Sequence, residues 1–171
     1  MISPKSHKGF SLIELMIVVA VVGIISAIAV PNLISSRRAA NEASALATLR
    51  IIASSQATYQ STAGAGSYGD LANLSSVHLV DPAVGAATIA GPGTPKLGYL
   101  FATSSVSGVG MPAFDAIAQP SAHTSAGLLF ATGDRSFLVI ESGVVYFNTS
   151  DTAPTCTADA TRTVSSGTVL K

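Results

Sequence analysis

The stretch that decides the fold is FSLIELMIVVAVVGIISAIAVPNLISS, residues 10–36. It holds one charged residue, Glu14, and the run from Leu15 to Val30 contains neither a charge nor a proline. Because a helix rises about 1.5 Å per residue, roughly 20 apolar residues cross a bilayer core. A buried helix of a soluble protein is seldom apolar on every side over such a length. The stretch therefore predicts a membrane-spanning helix.

The preceding segment, MISPKSHKG (residues 1–9), is short and carries Lys5, Lys8 and the titratable His7. Positive charge beside an apolar span keeps that flank in the cytoplasm, so the rest of the chain is expected on the other side. A secretory signal peptide is cut after its apolar region and is removed entirely. Here the expected processing site, between Gly9 and Phe10, comes before the apolar region. The mature protein would therefore keep its membrane helix.

The segment KGFSLIEL, residues 8–15, resembles the cleavage and methylation motif of type IV prepilins and type II secretion pseudopilins. The resemblance is dense over residues 1–55 and thin beyond them. It implies cleavage after Gly9 by a membrane aspartic peptidase, methylation of the new amino group of Phe10, and assembly into a helical filament. Glu14 falls at the fifth mature position and Pro31 at the twenty-second, as in that family.

Glu14 places a carboxylate near one end of the predicted membrane helix. An acid at the centre of a bilayer costs about 2.5–3.5 kcal/mol and less near the end, so such a charge usually has a function and a partner. Cleavage would create a cationic amine at Phe10, and the resemblance implies that Glu14 meets that amine on a neighbouring subunit. This attraction would favour one axial register. The alternative is a carboxylate that only reaches back to the membrane interface.

Pro31 lies just after the apolar run, where a proline inside a helix removes one backbone hydrogen bond and produces a kink or a break. With Gly23 upstream, the helix is expected to bend or melt between these residues, as the resemblance implies for assembly. The alternative is a helix that ends before Pro31. Residues 35–61 retain a helical pattern, which favours one long helix over residues 11–61.

The second half of this helix is expected to lay an apolar stripe on the rest of the chain. Arg38 and Glu42 are expected to lie mostly off this stripe. They form an i,i+4 pair that would stabilise the helix by a few tenths of a kcal/mol. The stripe consists of Ala39, Ala43, Leu46, Leu49, Ile52, Ala53, Gln56 and Tyr59.

The remainder is predicted to be a connecting region followed by strands. Residues 64–95 are rich in Gly, Ser, Pro and Asn, with one short packed segment within residues 71–80. Strands are predicted at residues 96–104, 113–119, 135–140 and 144–147, with a short piece at 128–131 and a hairpin turn at 141–143. The tail from Asn148 is expected to be irregular. The fold class is α+β and pilin-like, with a long N-terminal helix on an antiparallel sheet of about four strands.

The sequence predicts four regions. Residues 1–9 are the leader peptide, 10–36 the transmembrane and assembly helix, 37–63 the helix that packs on the globular domain, and 64–171 the connecting loop and sheet domain.

Charge and cysteine content exclude several classes of protein. The chain has nine basic and nine acidic residues, and removal of residues 1–9 leaves seven basic against nine acidic. No nucleic acid is expected as a partner, because such proteins carry a basic patch. Only 11% of the residues are charged, which fits a surface covered by sister subunits.

Cys156 is the one cysteine, so an intrachain disulfide is impossible. We expect a free thiol, with an intersubunit disulfide as the alternative.

No catalytic or metal-binding motif is present in the sequence. His7, His78 and His123 are far apart, and no nucleophile motif accompanies them. We expect no enzyme activity and no cofactor. The resemblance to secretion pseudopilins, which often bind calcium near the C-terminus, raises such a site as an alternative. The acids there match no ordered loop and are expected to be solvated carboxylates: Asp134, Asp151 and Asp159.

The expected function is that of a structural subunit of a type IV pilus or pseudopilus. Its expected partners are copies of itself, other pilins, the prepilin peptidase and methyltransferase, and the bacterial inner membrane. After assembly it would lie in a periplasmic or cell-surface filament.

Two alternatives remain open. One is a minor, tip-located pilin whose globular part binds DNA, a surface or a secreted substrate, although Glu14 weighs against it. The other is a single-pass membrane protein whose leader resembles the motif by accident, which predicts no cleavage at Gly9.

Overall fold

The computed structural model describes residues 9–106, 112–123, 127, 130–150, 152–157 and 161–170. The chain divides into two compact units, Met1–Ser36 and Arg37–Lys171. Helix α1, Leu12–Ser61, contributes residues to both units. The helix predicted over residues 11–61 is therefore confirmed to within one residue.

In the first unit, every residue from 9 to 33 is exposed, including all the large apolar side chains. Helix α1 is long and apolar enough here to cross a membrane. It continues through Pro31, so the alternative of a helix that ends before this residue is wrong. The missing amide of Pro31 leaves the carbonyl of Ala27 without its usual helical donor, which locally weakens the helix without ending it. The helix is continuous between Gly23 and Pro31 in the single chain, and the bending or melting expected on assembly stays a prediction.

Within the second unit, α1 buries a stripe that differs from the predicted one. Leu49, Ile52 and Gln56 are fully buried as expected. Ala39 and Ala43 are exposed, and their predicted burial is wrong. The stripe instead starts with two charged residues, Arg38 and Glu42, which are 8% and 6% exposed. The predicted pairing of these two with each other is also wrong, because each pairs with a residue before the third strand.

Two short helices occupy the connecting region: α2, Leu71–Ser76, and α3, Pro82–Ala86. Asp70 caps α2 by accepting a hydrogen bond from the amide of Asn73, and Asp81 caps α3 through the amide of Ala83. The short packed segment predicted within residues 71–80 is confirmed. Helix α3 was not predicted, although an aspartate followed by proline is a recognisable helix start.

Seven strands follow within the described residues: β1 Tyr99–Val106, β2 Ala113–Pro120, β3 Ser136–Ile140, β4 Val145–Asn148, β5 Thr155–Cys156, β6 Val164–Ser165 and β7 Thr168–Val169. Five of them form one sheet in the order β1-β2-β3-β4-β7, and every pairing is antiparallel. The predicted α+β class is confirmed, with one more strand in the sheet than expected.

Two strand predictions need correction. Leu128 and Leu129, in the short piece predicted at residues 128–131, lie outside the described residues, and Phe130 and Ala131 are not in a strand. The tail from Asn148 is not irregular, because β5 pairs with β6 and β7 joins the main sheet through β4. The pairs are only two residues long, too short to leave an alternating pattern in the sequence.

The core lies between α1 and one face of the sheet, as predicted. Side chains from the helix, the connecting region and alternate strand positions form one buried cluster, which includes Leu49, Ile52, Leu74, Val84, Tyr99, Phe101, Phe137 and Val139. The turn at 141–143 has Gly143 at φ 73°, which favours glycine.

Candidate assembly site

The start of α1 brings Ser11 and Glu14 together. Ser11 precedes the first helical residue, and its amide donates to Glu14 Oε2 at 3.4 Å. This is half of a capping box, in which an acid at the third helical position satisfies the amide of the capping residue. Sequence reasoning assigned Glu14 only to an intersubunit contact and missed this local one. The pattern Ser-x-x-Glu would have revealed it.

Gly9 and Phe10 precede the helix and are exposed. A Cβ atom built on Gly9 would meet nothing within 4 Å, so the folded chain does not require glycine at this position. The peptide bond between these two residues is therefore accessible. Lys5, His7 and Lys8 lie outside the described residues.

Pro31 is the second predicted assembly residue on this helix. It is exposed, and its carbonyl accepts a hydrogen bond from Ser35 Oγ at 3.1 Å. Glu14 and Pro31 are thus both on the surface of the first unit. The structure of a single chain does not bring either of them against a partner.

A partly buried ion-pair cluster in the second unit joins α1 to the segment before β3. Asp134 accepts from Arg38 Nη1 at 3.2 Å, while its own amide donates to Glu42 Oε1 at 2.9 Å. The other oxygen of Glu42 accepts from Arg135 Nε at 2.7 Å. The guanidinium of Arg135 also lies 5.7 Å from the ring centroid of Phe137. The partners are more than 90 residues apart in sequence, so no local pattern announced the cluster.

A second cluster holds the C-terminal segment against the sheet. Arg162 Nη2 donates to Asp115 Oδ1 at 2.5 Å and to Glu141 Oε2 at 2.8 Å, and also to the carbonyl of Phe114. The hydrogen bond to Glu141 is the largest of the effects that raise the pKa of Arg162. Burial raises the pKa of Asp115 despite this cation. Burial also acts to raise the pKa of Glu141, but the hydrogen bonds and charge of Arg162 outweigh it and lower the net pKa.

The described residues contain no group of three potential metal ligands. Asp134 is ion-paired with Arg38. Asp151 and Asp159 lie outside the described residues, and their expected role as solvated carboxylates rather than calcium ligands stays a prediction. Cys156 lies in β5 and is partly buried. His78 Nδ1 approaches the carbonyl of Ser75, and His123 Nε2 approaches the carbonyl of Asp134.

Known proteins are similar to the N-terminal part of this chain. Residues 4–30 match the family described as the prokaryotic N-terminal methylation motif. A type IV wide pilus major component of Thermus thermophilus is 41% identical over 56 residues, which are 33% of this chain and 43% of that protein. A type IV major pilin of Myxococcus xanthus is 40% identical over 67 residues, 39% of this chain and 30% of the pilin. A fimbrial protein of Pseudomonas aeruginosa is 52% identical over 50 residues, 26% of this chain and 32% of that protein.

These matches span less than half the length of the curated relatives. No solved structure matches the chain. The chain is an α+β protein whose N-terminal helix is apolar and exposed over residues 12–33 and carries one acid, Glu14, in its first turn. Residues 4–30 thus carry the prokaryotic N-terminal methylation motif, and the N-terminal third of the chain is similar to type IV pilins.

Proposed function

We propose that this protein is a structural subunit of a type IV pilus or pseudopilus, cleaved after Gly9, N-methylated at Phe10 and polymerised through its N-terminal helix. One observation carries the proposal: α1 exposes an unbroken apolar surface with Glu14 as the one acid in its first turn. Exposed apolar surface of this extent requires lipid or other subunits around it. The names of the similar proteins agree with this function.

Before assembly, the apolar helix holds the subunit in the bacterial inner membrane, with residues 1–9 in the cytoplasm. The positive charges of that segment set the orientation. The partners are then the prepilin peptidase and methyltransferase, sister subunits and other pilins. The leader comprises residues 1–9 and the membrane and assembly helix residues 10–36. Residues 37–63 form the helix that packs on the globular domain, which consists of residues 64–171.

Glu14 supplies the test of polymerisation, because its charge and its capping role can be separated. Glutamine still reaches the amide of Ser11 but carries no charge. We expect Glu14→Gln and Glu14→Ala to be inserted and cleaved normally, and both to be absent from filaments. Immunoblots of sheared filaments and of membranes measure this. Normal incorporation of the glutamine variant would show that the negative charge is not needed for axial register.

Gly9 supplies the test of processing. The folded chain has open space around Gly9, so any sensitivity to substitution there comes from the peptidase. We expect Gly9→Ala to mature and Gly9→Leu to remain uncut. Intact mass and N-terminal sequencing distinguish a chain that begins at methylated Phe10 from one that begins at Met1. Normal maturation of the leucine variant would place the processing site elsewhere. A mature chain found only in membranes would indicate a short pseudopilus or a minor subunit rather than an extended pilus.

A further inference from the structure

Strand β1 lies at one edge of the five-stranded sheet, and the subunit itself covers the first half of this edge. The amide of Phe101 donates to the carbonyl of Ala87 at 2.6 Å, and the carbonyl of Phe101 accepts from the amide of Ile89 at 3.0 Å. The backbone groups of Phe101 therefore point away from β2. Because this direction alternates along a strand, the amides and carbonyls of Thr103 and Ser105 also point to the open edge.

The second half of the β1 edge has no protection against pairing with another chain. Within the described part of the chain, no backbone partner faces the outward amides and carbonyls of Thr103 and Ser105. Ser104 and Ser105 are exposed, and residues 103–106 contain neither a charge nor a proline. Edge strands usually carry such residues, because open amides and carbonyls otherwise recruit a further strand. The chemical complement of this edge is therefore an extended backbone.

Strand β7 lies at the opposite edge of the same sheet and also has outward backbone groups. The amide of Leu170 donates to the carbonyl of Val145 at 2.9 Å, so the backbone of Leu170 faces β4. By alternation, the amide and carbonyl of Val169 point away from β4, and none of the described residues pairs with them. The side chain of Val169 is apolar and 46% exposed. Both edges of the sheet therefore offer hydrogen-bonding groups to another chain.

The two edges fit each other, because β1 and β7 run in the same direction. Every pairing in the order β1-β2-β3-β4-β7 is antiparallel, so the direction reverses an even number of times between the two edges. A second copy in the same orientation therefore brings its β7 alongside β1 as a parallel strand. Repetition of this head-to-tail contact adds one subunit after another without closing, as in a helical filament.

The directions of the backbone groups also specify the register of such a pair. In a parallel pair, a residue bonds to the two residues that flank the one opposite to it. Val169 of the second copy therefore lies opposite Ser104. Its amide then donates to the carbonyl of Thr103, and its carbonyl accepts from the amide of Ser105. The side chains of Val169 and Ser104 both lie on the face of the sheet that is turned away from the core.

A groove on this outer face gives the valine side chain a surface to pack against. The groove has a volume of about 290 Å³, and its lining includes Ala102, Ser104, Ile117, Leu138 and residues 152–156. A valine opposite Ser104 lies beside this lining, where its apolar surface is removed from water. The same register thus satisfies the open backbone groups and covers an exposed apolar side chain.

We propose that β7 of one subunit adds to the edge of β1 of its neighbour as a parallel strand, which joins the sheets of adjacent subunits in the filament. The inference rests on the proposed function, because that function places copies of the chain side by side in one orientation. It specifies a second contact between subunits, in addition to the N-terminal helix. Residues 103–106 supply one side of this contact and Thr168–Val169 the other.

Engineered cysteines test this register. Ser104→Cys and Val169→Cys are introduced together into the full chain with Cys156→Ser, which removes the native thiol. Opposite residues of neighbouring strands lie about 4.8 Å apart, within the Cα distances that a disulfide spans. Sheared filaments are oxidised mildly and analysed by non-reducing electrophoresis. We expect a ladder of dimers, trimers and larger products, because each subunit contributes both halves of the contact.

A second pair of cysteines, Val77→Cys with Val169→Cys, is the matched control, since Val77 is a similarly exposed apolar residue of the same unit. We expect at least about fivefold more cross-linked product from the proposed pair than from the control pair. Ser104→Cys alone should stay monomeric, because a head-to-tail contact brings two different residues together. Mixed filaments of the two single variants, Ser104→Cys and Val169→Cys, should give dimers only.

Substitutions of Ser105 test the hydrogen bonds of the same contact. Ser105→Pro removes the outward amide, and an edge strand tolerates proline where the nitrogen faces outwards. In the background of the cysteine pair, we expect this proline to reduce the ladder at least about fivefold and to leave the urea midpoint close to that of the parent. Ser105→Ala keeps the amide and should keep the ladder. An intact ladder in Ser105→Pro, or an unfolded subunit, overturns the proposed pairing.

The cross-linking outcomes distinguish this contact from the proposed function. A ladder no stronger than that of the control pair, in filaments that contain both variants, overturns the intersubunit sheet and leaves the proposed function standing. Dimers from Ser104→Cys alone also overturn it and assign the edge to β1 of a second copy. Absence of the parent chain from filaments contradicts the proposed function and, with it, the contact between neighbouring subunits.

Discussion

At the scale of single residues, Gln56 shows how α1 fixes the connecting region. Its side-chain amide donates to the carbonyl of Gly69 at 2.6 Å and accepts from the amide of Gly69 at 3.1 Å. Both Gln56 and Gly69 are buried, so loss of this amide leaves two backbone groups without partners. We expect Gln56→Ala to lower the free energy of unfolding by roughly 2–6 kcal/mol, at about 1–3 kcal/mol for each group.

Gln60 provides the matched control, because its amide makes one exposed hydrogen bond to Gly66 at 3.3 Å. We expect Gln60→Ala to change stability by less than about 0.5 kcal/mol. Urea unfolding of the full chain in detergent, followed by circular dichroism, measures both variants. Equal effects of the two substitutions would contradict the role given to Gln56.

The polar residues of α1 also mark the limit of sequence reasoning at this scale. Leu49, Ile52 and Gln56 were correctly placed on the buried stripe from their spacing of three and four. Arg38 and Glu42 were misplaced, because a charged residue is expected to face solvent unless its partner is known. Their partners, Asp134 and Arg135, come from the segment before β3.

At the scale of elements, the same limit appears in the C-terminal segment. The strands β1 to β4 were predicted because each is at least four residues long and bounded by turn residues. Strands β5, β6 and β7 have two residues each, and Arg162 anchors their segment to acids 21 and 47 residues away in sequence. This ion-pair cluster restrains the C-terminal segment in a chain that has no disulfide to do so.

The reactivity of the Cys156 thiol measures whether Arg162 keeps the C-terminal segment packed against the sheet. Arg162→Ala removes the shared cation of Asp115 and Glu141, and because this cluster is only partly buried the cost lies below the roughly 3–5 kcal/mol of a fully buried ion pair. We expect the partly buried thiol to react with a maleimide roughly 10-fold faster in this variant, which corresponds to about 1.4 kcal/mol of local opening. Arg50→Ala, on the exposed face of α1, should leave the labelling rate unchanged. An unchanged rate in Arg162→Ala would show that other contacts hold the segment.

Protonation of Glu141 and protonation of Asp115 should change the stability of the fold in opposite directions. The lowered pKa of Glu141 means that its stabilisation is present at neutral pH and is lost as the pH falls below the ordinary value of 4.5. The raised pKa of Asp115, caused first by burial, means that protonation of this group favours the folded state. We therefore expect Glu141→Gln to lose less stability than the parent between pH 7 and pH 3, and Asp115→Asn to lose more. Urea unfolding at the two pH values tests this, and a change of the same sign in both variants would contradict the assignment.

At the scale of the whole molecule, the two units have different requirements for stability. The apolar residues 10–33 are exposed and depend on lipid or on other subunits for burial. The unit Arg37–Lys171 has its own core, to which α1 contributes Leu49 and Ile52. In the sequence the composition changes after residue 36, from an apolar stretch that suits lipid to a stretch that alternates apolar and polar residues.

The unit Arg37–Lys171 should therefore fold without the apolar unit. Removal of residues 1–36 should give a soluble, monomeric protein whose urea midpoint lies close to that of the full chain in detergent, since residues 9–33 are exposed and none of the core residues comes from this segment. Ile52→Ala in the shortened protein should lower the free energy of unfolding by about 2–5 kcal/mol, because Ile52 is fully buried. Ile51→Ala at the neighbouring, half-exposed position should have a much smaller effect. Size-exclusion chromatography and urea unfolding give both results. An aggregated or unfolded shortened protein would mean that the globular core needs the membrane helix, and the two units would then form a single folding unit.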